Sequence, residues 1–256
     1  RENSPYTLAC QYLQNPLAGE EQEFQLEWLR KYEIRPLNLN VAILVDGASS
    51  KKKGSCRTAM VALGIDAARN KYFLDGCCHR MNLTERWTAL KNLGNKWIRQ
   101  KGIQVVRVGY ERFGYQSDIE HFKEMMKIEG IAFPITEVSW PREGPDSKLD
   151  RIRRLIPDHQ NWRFFYPYEG AKPTKLQIEA EAIGRGFLIS KPIKRVNEDG
   201  RVYNLVDYLV NNEYLFFPAT TNLDLLDAMS RFYDMKMAPP ELYDERDLIP
   251  EFAGME

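Results

Sequence analysis

Five apolar residues, Val41 to Val45, run straight into a lone acid, Asp46, and then into Gly47 and a Ser/Lys/Gly loop. A run of that length without polar alternation fits a strand covered on both faces, which calls for layers above and below it. A carboxylate where such a strand breaks into a polar loop is costly to bury and is usually compensated by a metal ion or a cation. The competing reading is an Asp that starts a turn with Gly47. On this stretch alone, both stand.

The rest of the chain is predicted to build layers around that strand. Residues 1–40 form a lead-in that packs on the domain, with Phe24, Trp28 and Leu29 at helical spacing in the segment from Glu23 to Tyr32. Ala59 to Asp66 and Tyr72 to Cys78 read as second and third strands joined by the turn Ala67 to Asn70, making an antiparallel meander. A helix follows from Asn82 or Thr84, with Thr84 a plausible cap, Trp87, Leu90 and Trp97 on one face, and Gly102 as its stop. Gln104 to Gly109 is a fourth strand that runs into Tyr110-Glu111, so an acid again sits at a strand's carboxyl end. A helix over Ser117 to Glu129 and a fifth strand over Phe133 to Val138 complete a mixed α/β sheet, meander first and then strands alternating with helices.

Past residue 140 the charge pattern changes. Lys148 to Ile156 is predicted as a helix with Leu149, Ile152 and Leu155 inward, which leaves Lys148, Arg151, Arg153 and Arg154 to form a local basic face. Phe187 to Val196 and Arg201 to Leu205 flank Asn197-Glu198-Asp199-Gly200, and Asp-Gly between β-rich runs predicts a hairpin, placed at 187–205. It carries Lys191, Lys194, Arg195 and Arg201, and such a finger either covers a sheet edge or reaches a phosphate backbone. Asp224 and Asp227, three apart, share one face of the first turn of a late helix; residues 237–256 form a tail with no visible site.

Composition narrows the function classes. Basic and acidic residues number 36 each, so any nucleic-acid contact has to come from local patches. Cysteines 10, 56, 77 and 78 include an adjacent pair, a poor disulfide framework that points to a reducing compartment. No apolar run nears the roughly 20 residues that span a bilayer, and no secretory signal opens the chain, so a soluble cytosolic protein is expected. The start at Arg1 is read as that of a fragment or a processed chain. Zinc at Cys77-Cys78-His79 is disfavoured, because adjacent strand residues face opposite ways and no second Cys/His pair exists; His121 and His159 read as surface or packing residues.

Asp46, Glu111, Asp224 and Asp227 can converge on one side of a mixed sheet. Carboxylates without a His or Cys partner select hard cations such as Mg²⁺ or Mn²⁺, one ion or two, and a pair of such ions clamps attacking and leaving oxygens in phosphodiester cleavage.

The order of strands and acids resembles the RNase H-like nuclease fold shared by Holliday-junction resolvases. The wording is closer to the C-terminal nuclease domain of the large terminase subunit of tailed bacteriophages. The resemblance rests on QYLQNP at 11–16, VDGASSKKKGSCRTA at 45–59, RMNLTERW at 80–87, YE at 110–111, KLDRI at 148–152 and NLDLLDAM at 222–229. It implies an RNase H-like domain over 41–236 and an endonuclease that cuts concatemeric double-stranded viral DNA during packaging in the cytoplasm of the infected host. Asp46 and Glu111 match the strand-end metal ligands, and Asp224 and Asp227 the acids of the closing helix. The basic groups Lys51, Lys52, Lys53, Lys148, Arg151, Lys191, Lys194, Arg195 and Arg201 are expected to meet DNA. In the intact subunit an ATPase domain, the portal protein and the small terminase subunit are the implied partners, in a homo-oligomeric ring, with the isolated domain monomeric. No G-x-x-x-x-G-K-[ST] loop occurs here, so no ATPase is expected in this chain. The sequence departs from the pattern at Gly47 for Pro, at Cys56 for a frequent acid, at Asn222 for a frequent His and at Leu223 for a frequent acid, and Cys56 bears on metal affinity or stoichiometry. Two rival readings are a junction-resolving or other RNase H-like nuclease, and a non-catalytic module that docks DNA or the portal.

Overall fold

The structure, a computed structural model, describes residues 22–47, 57–111, 116–138, 147–168, 170, 174–175 and 189–241. The predicted core strand runs over Leu39–Asp46 (β2; β1 is the short strand Arg30–Tyr32). It pairs antiparallel with β3 (Thr58–Ile65), which pairs antiparallel with β4 (Lys71–His79). On its other side β2 pairs parallel with β5 (Ile103–Glu111), and β5 with β6 (Ile135–Val138). The five strands therefore lie in the order third, second, first, fourth, fifth, with only the second reversed. That order is RNase H-like.

Two strands extend the sheet past the meander. β7 (Phe164–Pro167) pairs parallel with β4, and β1 pairs parallel with β7, giving β1-β7-β4-β3-β2-β5-β6 overall. The helix expected over Glu23 to Tyr32 is thereby corrected: a single 3-10 turn at Leu26–Trp28 leads into an edge strand. Of the three residues in that spacing Phe24 is buried and Trp28 and Leu29 are half-buried, but β7 offered an open edge that β1 satisfies.

β2 is buried on both faces, and its alternation assigns each face a layer. Val41, Ile43 and Val45 meet α1 (Leu83–Ile98) and α2 (Gln116–Glu129) through Trp87, Leu90, Trp97, Ile119 and Phe122. Ala42 and Leu44 meet the opposite layer, made of α3 (Ser147–Arg153), α4 (Ile156–Gln160), α5 (Leu205–Asn212) and α6 (Asp224–Ser230), through Ile152, Leu205, Leu209, Leu225 and Leu226. The cap of α1 is Asn82, not Thr84: its side chain accepts from Glu85 N–H while the Glu85 carboxylate accepts from Asn82 N–H, a reciprocal capping box. Among the described residues no helix is long and apolar enough to cross a membrane.

His159 shows how tightly the second layer is sealed. It is fully buried, stacked on Phe164 at 4.6 Å between ring centroids. Nδ1 lies 2.8 Å from the Leu155 carbonyl, which can only accept, so Nδ1 carries the proton and the Tyr166 hydroxyl donates to Nε2 at 2.9 Å. Burial holds its pKa down at about 4. Because the folded value lies below the unfolded one, the unfolded chain binds the extra proton, and stability is lost as pH falls from about 6.5 towards 4. The loss expected is about 3 kcal/mol at 1.36 kcal/mol per pH unit. Urea denaturation at pH 7 and pH 4.5 should show it, and His159→Phe should flatten that part of the profile; an unchanged slope in the variant would exclude His159 as its source.

Candidate active site

Asp46 and Glu111 are the last residues of two adjacent parallel strands. Val45 pairs with Tyr110, so the acids stand one step further on, side by side at the carboxyl edge. Period-two alternation sends Asp46 to the face of Ala42 and Leu44, the α6 side. Glu111 takes the same face as Gly109, which lies against Met235 just after α6; a Cβ at Gly109 would come within 2.6 Å of the Met235 sulfur. On α6, Asp224 and Asp227 occupy the first turn, as the D-x-x-D spacing predicted, and both are buried.

The electrostatics tie these acids into one centre. The Asp46 carboxyl is raised well above its ordinary pKa, first by burial, then by the charges of Asp227 and Glu111 and by a hydrogen bond with Glu111, while Lys148 acts in the opposite direction. Asp224 is raised by burial, against the pull of Lys148 and Arg57. Lys148 places its ammonium 3.5 Å from Asp227 and 3.8 Å from Asp224. Burial disfavours that charge, but Asp227, Asp46 and Asp224 outweigh it and raise the Lys148 pKa.

The basic face expected along α3 is corrected. Arg151 is buried and grips Asp227 with both teeth of its fork, Nε donating to Oδ1 at 2.6 Å and Nη2 to Oδ2 at 2.7 Å. Arg153 pairs with Glu23 and Asp150, and Arg154 with Asp234. Arg151, expected to meet DNA, is thus consumed inside the protein; α3 lies where α6 needs counter-charge. Arg195 is likewise tied down, donating to the buried Asp75 and to the Gly76 carbonyl, so it fastens the hairpin to β4.

The hairpin is shorter than expected. β8 (Lys194–Val196) and β9 (Val202–Asn204) are three residues each around the predicted Asp-Gly turn, and Leu205 begins α5 instead of ending a strand, with Asn204 as its cap. Glu198 pairs with Arg80, and the Tyr203 hydroxyl meets the backbone of Cys78, so the finger lies along β4. Lys191, Lys194 and Arg201 are exposed on it. Lys51, Lys52, Lys53 and Cys56, and the hairpin's beginning at 187–188, lie outside the described residues.

Two residues of the site were not foreseen. Glu213, fully buried, accepts from the backbone N–H groups of Leu225 and Leu226 at 3.2 and 2.9 Å and so caps α6, whose own N-cap, Leu223, has no side-chain oxygen. Burial pushes its carboxyl up to about 8 against the pull of those two amides. The signal was a lone acid before the apolar run Tyr214 to Phe217. Glu213→Ala should cost about 2 to 3 kcal/mol, since two buried amides lose a partner; a urea midpoint within error of the parent would refute the capping role. The second is Arg231, buried and bonded through Nη2 to Glu111. Its sequence signal was a cation four residues after Asp227.

No family model matches the chain, and no curated protein does. Three solved structures are similar in outline. The large terminase nuclease from thermophilic phage G20c with bound magnesium is 13% identical over 83% of this chain and 96% of its own, at a TM-score of 0.41. The Thermus phage P74-26 large terminase nuclease domain is 13% identical over 86% and 100%, at 0.40. The manganese-soaked human cytomegalovirus terminase nuclease domain is 12% identical over 79% and 83%, at 0.41. All three are terminase nuclease domains. Likeness this distant says nothing of activity here, which has to be read from the residues.

In kind, the donor set suits a hard divalent cation: carboxylate oxygens alone, mutually repelling and largely sealed from water. In arrangement it falls short of a finished cage. Among the described residues no group of three or more Asp, Glu, His or Cys stands ready to hold an ion. Guanidinium groups already engage the oxygens of Glu111 and Asp227.

Proposed function

We propose that this chain is a Mg²⁺- or Mn²⁺-dependent endonuclease that cuts double-stranded viral DNA during genome packaging, with a nuclease domain over 41–236 and a hairpin over 187–205. One observation carries the reading. Asp46 and Glu111 end adjacent parallel strands one step past the paired Val45 and Tyr110, and Lys148 lies 3.8 and 3.5 Å from Asp224 and Asp227 of the late helix, so carboxylates from three elements gather at one edge of the sheet; their mutual repulsion, which raises the Asp46 carboxyl, is what a bound cation relieves.

Asp46, Glu111 and Asp227, with Asp224 beside them, would hold one or two ions, which when bound supply Lewis-acid charge on the scissile phosphate and a water nucleophile at neutral pH. The chain's own groups do the rest. Arg151 fixes the rotamer of Asp227, and Glu213 fixes the helix that carries it. Lys148, partly exposed beside both helix acids, meets a phosphate oxygen of the strand being cut. Lys51, Lys52, Lys53, Lys191, Lys194 and Arg201 hold backbone phosphates, which read no sequence, so preference among sites is low. The same reading supplies the setting: an ATPase domain, portal and small subunit as partners in a homo-oligomeric motor, the isolated domain monomeric, in the cytoplasm of an infected bacterium.

Supercoiled plasmid incubated with the protein should be nicked and then linearised with Mn²⁺ or Mg²⁺ and stay intact with EDTA. Cleavage that persists in EDTA, or no cleavage with either ion, would refute the proposal. A branched substrate in parallel separates this activity from junction resolution, which would leave plain duplex uncut.

A further inference from the structure

Three of the cations at the acid centre, Arg151, Lys148 and Arg231, are held in different ways. Arg151 makes a complete fork with Asp227 and has a partner for each tooth. Lys148 is partly exposed and shares two carboxylates at 3.5 and 3.8 Å. Arg231 is only 1% exposed, yet among the described residues its guanidinium hydrogen-bonds one carboxylate, Glu111, through Nη2. Its Nε and Nη1, buried, find no hydrogen-bond acceptor among the described residues, and the next carboxylate, Asp234, stands 3.9 Å from Nη1. A guanidinium sealed from water with most of its donors idle is poorly held, and such a charge is retained for what it neutralises.

What it neutralises is the centre itself. Arg231 follows α6 immediately, one turn beyond Asp227, and the turn it begins is pressed on β5 at Gly109, two residues before Glu111. Its charge bears on Glu111, Asp227 and Asp46 together. It thus does what a divalent ion among those acids would do, from one side and with one hydrogen bond.

We infer that Arg231 is a latch on the acid centre: its guanidinium stands in for the metal by holding Glu111, and a divalent ion gains Glu111 as a ligand only when the Glu111–Arg231 pair parts. The inference rests on the nuclease reading of the same acids and adds a control to it. An empty centre keeps its carboxylates neutralised and closed; an occupied one has Arg231 turned off Glu111. Metal affinity is therefore set by competition within the chain as well as by the ligands.

A residue that merely positions Glu111 for metal predicts the opposite sign, which makes the test sharp. Mn²⁺ binding would be measured by electron paramagnetic resonance of the free ion for the unaltered protein, Arg231→Met and Arg231→Lys. Arg231→Met should bind Mn²⁺ at least tenfold more tightly, with Arg231→Lys between the two, and adding Asp46→Asn to Arg231→Met should abolish the gain. Affinity equal to or weaker than that of the parent overturns the latch and leaves the nuclease reading standing, provided the plasmid is still cut. Absence of Mn²⁺ binding and of cleavage in every form overturns both.

If Arg231→Met does not fold, the unaltered protein decides. In ¹⁵N-arginine-labelled material, the Arg231 Nε–H signal, assigned from its loss in Arg231→Lys or by direct backbone correlation, should shift and exchange faster with water as Mg²⁺ is added. A signal that stays unchanged at saturating Mg²⁺ would overturn the latch.

Discussion

Asp46→Asn should lose Mn²⁺-supported nicking by on the order of 10³-fold or more while the protein becomes no less stable. On the proposed function, the activity loss follows from removing the anionic ligand at the end of β2: metal-borne charge is worth several kcal/mol in the transition state, and each 1.36 kcal/mol is a decade in rate. The stability arises from the other side of the same arrangement. Asp46 titrates above its unfolded value because burial, Asp227 and Glu111 oppose its charge. A raised folded pKa means stability that is present at low pH and lost as pH climbs through and beyond the ordinary carboxylate range. Asn removes that decline, so metal-free Asp46→Asn should match or exceed the parent at pH 8 in urea denaturation, and added Mn²⁺ should stabilise the parent only. A variant that cuts like the parent would remove Asp46 from the site. One that loses both activity and stability would make it a structural residue.

Arg151→Met should act in the opposite way, through the fold. Asp227 is 3% exposed and takes its fork from Arg151. Removing one partner of a buried pair leaves an uncompensated charge, a cost of about 3 to 5 kcal/mol. Replacing both partners is milder, so Arg151→Met combined with Asp227→Asn should recover most of the loss, and the double-mutant cycle would show a coupling of more than about 1 kcal/mol. Additive effects would mean that the fork contributes nothing of its own. Arg151→Met should also cut poorly even when folded, since Asp227 is then free to turn.

These contrasts mark what could be read from the residues. The apolar run Val41 to Val45 announced a strand covered on both faces, and acids placed just past β-rich runs at Asp46 and Glu111 could be paired from the sequence alone, because strand ends are where a sheet leaves off. The D-x-x-D of α6 was legible for the same reason: spacing of three fixes a face. What escaped was whatever depended on partners remote in sequence. Four cations on KLDRIRRLI look like an outward face until α6, some seventy residues later, presents Asp227 to Arg151. Arg195 looked like a reaching finger until β4 supplied a buried Asp75. Glu23 to Tyr32 had helical spacing, but an unpaired edge on β7 outweighed so weak a local preference.

The alternation along β2 carries a further demand. Asp46 faces α6 only because an even number of steps separates it from Ala42 and Leu44. One residue inserted or deleted between Leu39 and Val45 would turn the carboxylate towards Trp87 and the α1 layer and carry Ile43 and Val45 across in exchange. Length changes inside this eight-residue segment therefore cost both layers of the core and the acid at its end, and a library of insertions scored for folding and cutting should show a sharp trough over Leu39 to Asp46.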